Sequence, residues 1–318
     1  MSSSNAIAHH TINGKPIGRV GFGMLGLTKP WAPVDYSIAI QVMKTALEQG
    51  ANFWNGAIHY GTPTANSLHL LHHYFTLHPT DAPKITLSIK GAYSMQSGPT
   101  GSPSAIRASV ENALQVLKGV KTIDIFELAR VDPNVPIETC IMALAELVKE
   151  GKIGGIGLSE VSAATVRRAN AVHPINVIGN GVLGVCRELD IPVVAYSPVG
   201  RGFLTGELRS VDDLPANDFR RMLPRFQPGA FEQNFKLVEA VEEIAKRKGV
   251  TTAQVAIGWV CRQGAIPIPE STRVERVVEN CRPAELTDEE MIEIKRVLDA
   301  FPVSGQRYGG VHEKFLSA

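Results

Sequence analysis

Eight short apolar runs, each followed by a longer amphipathic stretch, leave this chain few folds to adopt. The runs cover residues 19–23, 51–54, 85–89, 123–128, 153–158, 175–178, 193–196 and 265–268. Helical periodicity marks 35–49, 64–75, 104–117, 137–149, 163–172 and 182–189, then 231–248, 251–262, 274–280 and 288–300. Ser104 and Thr287 stand where N-caps belong, and Asp288, Glu289 and Glu290 fill the first turn after the second of them. Gly50, Gly151 and Gly249 sit just past helical patterns, where a left-handed residue ends a helix. Strands alternating with helices make a parallel sheet. A count of eight predicts an α/β chain closed into a (β/α)8 barrel.

An open, doubly wound sheet is the rival. It needs a Gly-x-Gly-x-x-Gly loop that opens a helix after the first strand, with an acidic residue ending the second. Gly21-Phe22-Gly23-Met24-Leu25-Gly26 matches the glycines. It runs into Leu27-Thr28-Lys29-Pro30-Trp31-Ala32-Pro33, which breaks a helix, and the second run ends at Asn55. The barrel is the better reading. Its usual length favours one domain over 1–318, although about 150 residues per domain would allow two. Residues 201–229, rich in Arg, Pro and Asp, read as a long loop after the seventh strand, and 301–318 as a polar tail.

Charge excludes some partners. Lys plus Arg is 32 against 31 for Asp plus Glu, a net charge of +1, so nothing basic calls for nucleic acid. Cys140, Cys186, Cys261 and Cys281 are far apart and lie in apolar or helical contexts, which suits reduced thiols in a cytoplasmic protein. The first ten residues have neither a basic nor an apolar leader region. No apolar run nears the roughly 20 residues that span a bilayer, so no membrane partner is expected.

Two segments carry chemistry. Asn52-Phe53-Trp54-Asn55-Gly56-Ala57-Ile58-His59-Tyr60-Gly61 and Leu87-Ser88-Ile89-Lys90-Gly91 each begin as a β-like run and end in a polar group beside glycine. Adjacent strand ends would bring the Tyr60 hydroxyl to the Lys90 ammonium. A free tyrosine has a pKa of about 10 and is a poor acid at neutral pH. A nearby cation favours the phenolate, so such a pair can hand a proton to a carbonyl oxygen. The competing reading is a strand-end tyrosine and a surface lysine.

With four further segments the chain resembles the aldo-keto reductase superfamily, within it the fungal pyridoxal-reductase-like branch. They are IDIFELARVDPNVPIE (123–138), GKIGGIGLSEVSA (151–163), IPVVAYSPVGRGFLTG (191–206) and IPIPESTRVERVVEN (266–280). The resemblance implies a TIM-type barrel with NADPH at its C-terminal face and a small-molecule carbonyl substrate. It also implies a catalytic Asp, Tyr, Lys and His. Tyr60 and Lys90 match, whereas Asn55 stands at the Asp position and Ala129 at the His position. Asn55 can still hydrogen-bond the lysine but brings no charge.

For the cofactor, the resemblance places Ser159 at the nicotinamide carboxamide, with Glu160 where Asn is usual. It sets Ser197, Pro198, Val199, Gly200 and Thr205 along the pyrophosphate, where backbone N–H groups suit phosphate oxygens. Ser271, Thr272, Arg273, Arg276, Glu279 and Asn280 fall at the adenosine end. Arg273 and Arg276 favour NADPH over NADH, and Glu270 is a discordant neighbour for a 2′-phosphate.

The largest departure is a gap. Only Asn176-Val177-Ile178-Gly179 separates Ile175 from Asn180, where the family has a full strand and loop. Either 175–178 serves as a minimal sixth strand or the barrel is breached there, so the sixth strand is expected to be shortened or missing. The resulting reading is NADPH-dependent reduction of an aldehyde or ketone, with pyridoxal the named substrate and Tyr60 the proton donor. The alternative is a catalytically impaired NADPH-binding barrel that acts as a sensor or subunit.

Other residues have plainer readings. His69, His72 and His73 share a helix face without a carboxylate and read as packing or surface groups rather than metal ligands. Trp31 either walls a pocket or covers the core, and His59 either faces the pocket or solvent. Tyr93 reads as packing and Arg220, Arg221 and Arg225 as a solvated cluster. Glu160 could also stand in as an acid–base partner.

Overall fold

Two hydrogen bonds close the sheet on itself: Gly21 N–H to Pro267 O at 2.9 Å and Gly23 N–H to Pro269 O at 3.1 Å. The computed structural model describes residues 10–179, 182–310 and 316. The start of the chain, read as lacking a leader, lies almost wholly outside them. In strand order the barrel comprises β1 (Phe22–Gly23), β2 (Phe53–Ala57), β3 (Thr86–Gly91), β4 (Ile125–Leu128), β5 (Ile156–Ser159), β6 (Val177–Gly179), β7 (Val193–Tyr196) and β8 (Ala265–Ile268). Every neighbouring pair in that series is parallel.

The glycines of the Gly-rich run serve this closure. A Cβ on Gly21 would lie 2.8 Å from both Phe53 O and Ile268 Cγ2. The third of them, Gly26, donates its N–H to Glu270 Oε2 at 2.6 Å. That N–H faces a carboxylate, which excludes the dinucleotide-loop reading of the run.

The chain forms two compact units. Among the described residues, those up to 196 together with 264–281 hold all eight strands, and 197–263 with those from 282 to 310 form the second. In the first, helices α1 (Tyr36–Glu48), α2 (Ser67–Leu77), α3 (Pro103–Leu117), α4 (Ile137–Lys149), α5 (Ala163–Val172) and α6 (Leu183–Glu188) follow strands in turn. The N-cap of α3 is Ser102, with Pro103 at the first helical position, not Ser104. Proline is preorganised for that position, so the helix begins two residues earlier than a cap at Ser104 implied. Trp54 is fully buried against Tyr74 and Phe75 of α2. Burying a side chain of that size contributes about 1.5–3 kcal/mol.

A hairpin that the sequence did not announce, His10–Ile12 with Lys15–Ile17, plugs the lower barrel. Its Ile12 and Ile17 join Phe53, Ile125, Val177, Val194 and Ile266 in one buried cluster. These strand residues face inward. Side chains two positions on share that face, so Asn55, Glu127, Gly179 and Tyr196 form the next layer.

The sixth strand is short but present. It runs over Val177–Gly179, against 175–178 from sequence, and pairs with β5 and β7. Asn176 extends it: its N–H donates to Ile156 O at 2.8 Å, and its Oδ1 accepts from Ile156 N–H at 2.8 Å. Its Nδ2 donates to Asn13 Oδ1 in the hairpin turn at 2.6 Å. One side chain thus supplies ladder bonds that further strand residues would otherwise make. Asn180 and Gly181 lie outside the described residues.

The second unit contains α7 (Ala230–Lys248), α8 (Thr252–Arg262) and α10 (Asp288–Ala300). Thr287 caps α10 as expected, and Gly249 ends α7 in the left-handed region. The expected long loop is instead a left-handed turn over Gly200–Thr205 followed by 3₁₀ turns at Val211–Asp213, Phe219–Met222 and Pro224–Phe226. Phe203, Leu214, Leu223, Phe226 and Phe231 give it a buried core of its own. Arg220 and Arg221 are not a solvated cluster either, since they donate to Arg201 O and Leu214 O and so stitch the turns together.

Candidate active site

Lys90 sits at the upper end of β3 and is only 5% exposed. Its Nζ donates to Asn55 Oδ1 on β2 and lies 6.0 Å from the centroid of the Tyr60 ring. Tyr60 follows β2 in a tight turn, held by Tyr60 N–H to Ala57 O and by Thr28 Oγ1 donating to Tyr60 O at 2.7 Å. The structure thus brings Tyr60 and Lys90, at strand ends, together with Asn55 inside β2 on the C-terminal side of the barrel, the face where (β/α)8 enzymes place their chemistry.

Sequence reasoning missed a fourth member. Glu127 on β4 is directly paired with Lys90 in the ladder and is 1% exposed. Its Oε2 is 3.6 Å from Lys90 Nζ. Its Oε1 accepts from Asn55 Nδ2 at 2.6 Å and from Ser88 Oγ. Strand alternation was the available signal: with Ile125 inward, Glu127 has to point inward too.

Electrostatics follow from this packing. Burial works to strip Lys90 of its proton, but the Glu127 carboxylate and Tyr60 outweigh it, and the pKa stands above the ordinary lysine value. His59 is pushed the other way, down to about 3, by burial and then by Lys90 and Arg130. Its ring packs edge-on to Tyr60 at 5.0 Å and tilted against Tyr93 at 5.1 Å, and its Nδ1 has no hydrogen-bond partner. Ala129 follows β4 and offers only backbone here.

Ser159 ends β5, and its hydroxyl oxygen is buried without a partner. A buried polar atom left in that state suits an incoming hydrogen-bonding group, so the site fits a nicotinamide carboxamide there. Glu160 follows in the left-handed region at φ 57°, buried, with Tyr196 Oη donating to its Oε1.

At the upper end of β8, Glu270 accepts from Gly26 N–H and pairs with Lys29 at 3.2 Å, which occupies its charge. Ser271 Oγ accepts from Arg273 N–H at 3.1 Å. Arg273 precedes the short helix α9 (Val274–Asn280), in which Arg276 pairs with Glu279 at 3.0 Å and Asn280 is buried. Thr272 lies in the turn between Ser271 and Arg273. In the second unit, Ser197, Gly200, Arg201 and Gly202 all have positive φ, the kind of backbone whose N–H groups cradle anions. Pro198 and Val199 lie within that turn, and Thr205 Oγ1 donates to Gly202 O at 2.8 Å.

The helix histidines have structural work. His69 completes the capping box of α2, His72 Nδ1 lies 3.3 Å from Leu117 O, and His73 packs on Tyr36. Among the described residues no cluster of three metal-ligating side chains exists. Trp31 is 48% exposed, so about half of its surface is covered.

An eight-stranded parallel barrel thus carries a buried lysine beside a tyrosine at its C-terminal end. The pattern of the aldo/keto reductase family matches residues 19–299, and the chain belongs to that family. A Schizosaccharomyces pombe protein named "Probable pyridoxal reductase 2" is 39% identical, over 96% of this chain and 99% of its own. That alignment runs over 332 positions, more than the 318 residues here, so the relative carries residues this chain lacks. An aldo-keto reductase of Gibberella moniliformis is 35% identical over 92% of this chain and 93% of its own. Among solved structures, a glycerol dehydrogenase of Gluconobacter oxydans shares the fold with a TM-score of 0.80 at 23% identity, over 92% of this chain and 94% of that one. The protein is therefore an oxidoreductase of carbonyl compounds, in a family that generally uses nicotinamide cofactors. No helix among the described residues is long and apolar enough to cross a membrane.

Proposed function

We propose that this protein reduces an aldehyde or ketone, pyridoxal foremost, to its alcohol with NADPH in the cytoplasm. Tyr60 gives its phenolic proton to the carbonyl oxygen. Lys90, charged and buried beside the ring, lowers the cost of the phenolate that remains. Asn55 fixes the ammonium by accepting its hydrogen bond. The bound nicotinamide supplies the hydride, and the protein supplies position and field. Ser159 holds the carboxamide. The turn from Ser197 to Thr205 takes the pyrophosphate, and Arg273 and Arg276, with Ser271, Thr272, Glu279 and Asn280, take the adenosine end. With Glu270 occupied by Gly26 and Lys29, the objection to a 2′-phosphate weakens, which supports NADPH over NADH.

The observation that carries this reading is Lys90 Nζ, buried and 6.0 Å from the centre of the Tyr60 ring. The test is loss of reduced-nicotinamide absorbance with pyridoxal, NADPH against NADH. Turnover with NADPH that far exceeds NADH is expected. Quenching of tryptophan fluorescence by NADPH with no turnover across an aldehyde panel would instead indicate a binding module.

A further inference from the structure

We propose that Glu127 is the positioning carboxylate of this site and supplies the buried negative charge that Asn55 lacks. The inference rests on the reading of Tyr60 and Lys90 given above and adds a residue to it.

Three observations converge. A buried ammonium in a barrel interior needs a counter-charge, and Glu127 Oε2 at 3.6 Å is the carboxylate that faces it. The second is a chain of contacts in which Lys90 donates to Asn55, and Asn55 donates to Glu127 Oε1 at 2.6 Å. The amide relays the charge and is oriented by it: Oδ1 must face the lysine because Nδ2 faces the carboxylate. The third is space. A Cβ on Gly157 would lie 2.5 Å from Glu127 Cγ, and one on Gly179 would lie 3.1 Å from Glu127 Oε2. Neither glycine has a positive φ, so backbone freedom does not account for them. Room for a carboxylate does.

The groups that bear on Lys90 are limited. Glu127 faces it from β4, Tyr60 and His59 from the turn after β2, and Arg130 from the segment after β4. Asn55 and Ser88 face the pair from β2 and β3, and β5 and β6 contribute Gly157 and Gly179 around the carboxylate. Arg130 and neutral His59 add no negative charge. Glu127 therefore acts through Lys90 and holds it protonated and in place, with no contact to the reacting atoms required.

The test is the pH profile of kcat/KM for pyridoxal in the parent, Glu127→Gln, and Glu127→Gln combined with Asn55→Asp, with Tyr60→Phe as control. Glu127→Gln should move the basic limb down by about one pH unit, roughly a ten-fold change in that equilibrium. Asn55→Asp in the same background should move it back, because the charge returns one strand away. An unshifted limb in Glu127→Gln, or a double variant no better than the single, overturns the proposal. If both variants lose the fold alike, the carboxylate is structural and the proposal also falls. An active Tyr60→Phe would instead sink the reading on which it rests.

Discussion

Gly157 stands directly opposite Glu127 in the ladder between β4 and β5, and the carboxylate stem occupies the space that a side chain at 157 would need. Gly157→Ala would place its Cβ 2.5 Å from Glu127 Cγ and 3.0 Å from Ile125 Cγ2 and Val177 Cγ1. Overpacking of this kind costs about 1–3 kcal/mol. Urea denaturation of the variant should show a lower midpoint at an unchanged slope, together with reduced turnover. A midpoint equal to the parent's would mean that the site has slack.

The shortened sixth strand depends on Asn176. Asn176→Ala removes the acceptor for Ile156 N–H and the link to Asn13. A buried donor left unpaired costs about 1–3 kcal/mol. Hydrogen exchange at the Ile156 amide should quicken along with the loss of global stability. Unchanged protection there would show that water replaces the side chain.

The barrel was legible in the sequence because the eight apolar runs and the helical stretches keep their periods. Helices 137–149, 163–172, 274–280 and 288–300 fall where the periodicity put them. Tyr60 and Lys90 were legible as strand-end polar groups, and Asn55 through the family resemblance. Glu127 was not, because in the run IDIFEL a single acid inside a strand looks like an outward residue until the inward phase of Ile125 is known. Likewise Asn176 reads as a break in an apolar run, since a side chain that completes a backbone ladder leaves no periodic trace. The Phe-rich turns of 200–226 were hidden by their Arg and Pro content, which resembles a solvated loop.

His59 ties stability to pH. Its folded pKa of about 3 lies below the ordinary histidine value of 6.5, so the unfolded chain takes up a proton that the folded one refuses. The stabilisation is complete above the unfolded value and is lost as pH falls through about 6.5 towards about 3. Measured against His59→Phe, the parent should lose about 2 kcal/mol between roughly pH 7 and pH 5. A difference independent of pH would refute the neutral imidazole.

Ser159 separates binding from folding. Its hydroxyl oxygen is buried and unpartnered, so Ser159→Ala removes no bond from the free protein. Thermal stability should hold or rise slightly. Affinity for NADPH, followed by tryptophan quenching, should fall by about 0.5–1.5 kcal/mol, the net worth of one hydrogen bond. Unchanged affinity would remove Ser159 from the cofactor site.

The central claim is that Tyr60 donates the proton, with its acidity set by the buried Lys90. Single-turnover reduction of pyridoxal by Tyr60→Phe, with NADPH affinity measured on the same sample, tests it most directly. The account predicts a rate lower by about 10²–10⁴-fold, the usual worth of a positioned acid, and NADPH affinity close to the parent's. A Tyr60→Phe protein that reduced pyridoxal at the parent's rate would contradict it.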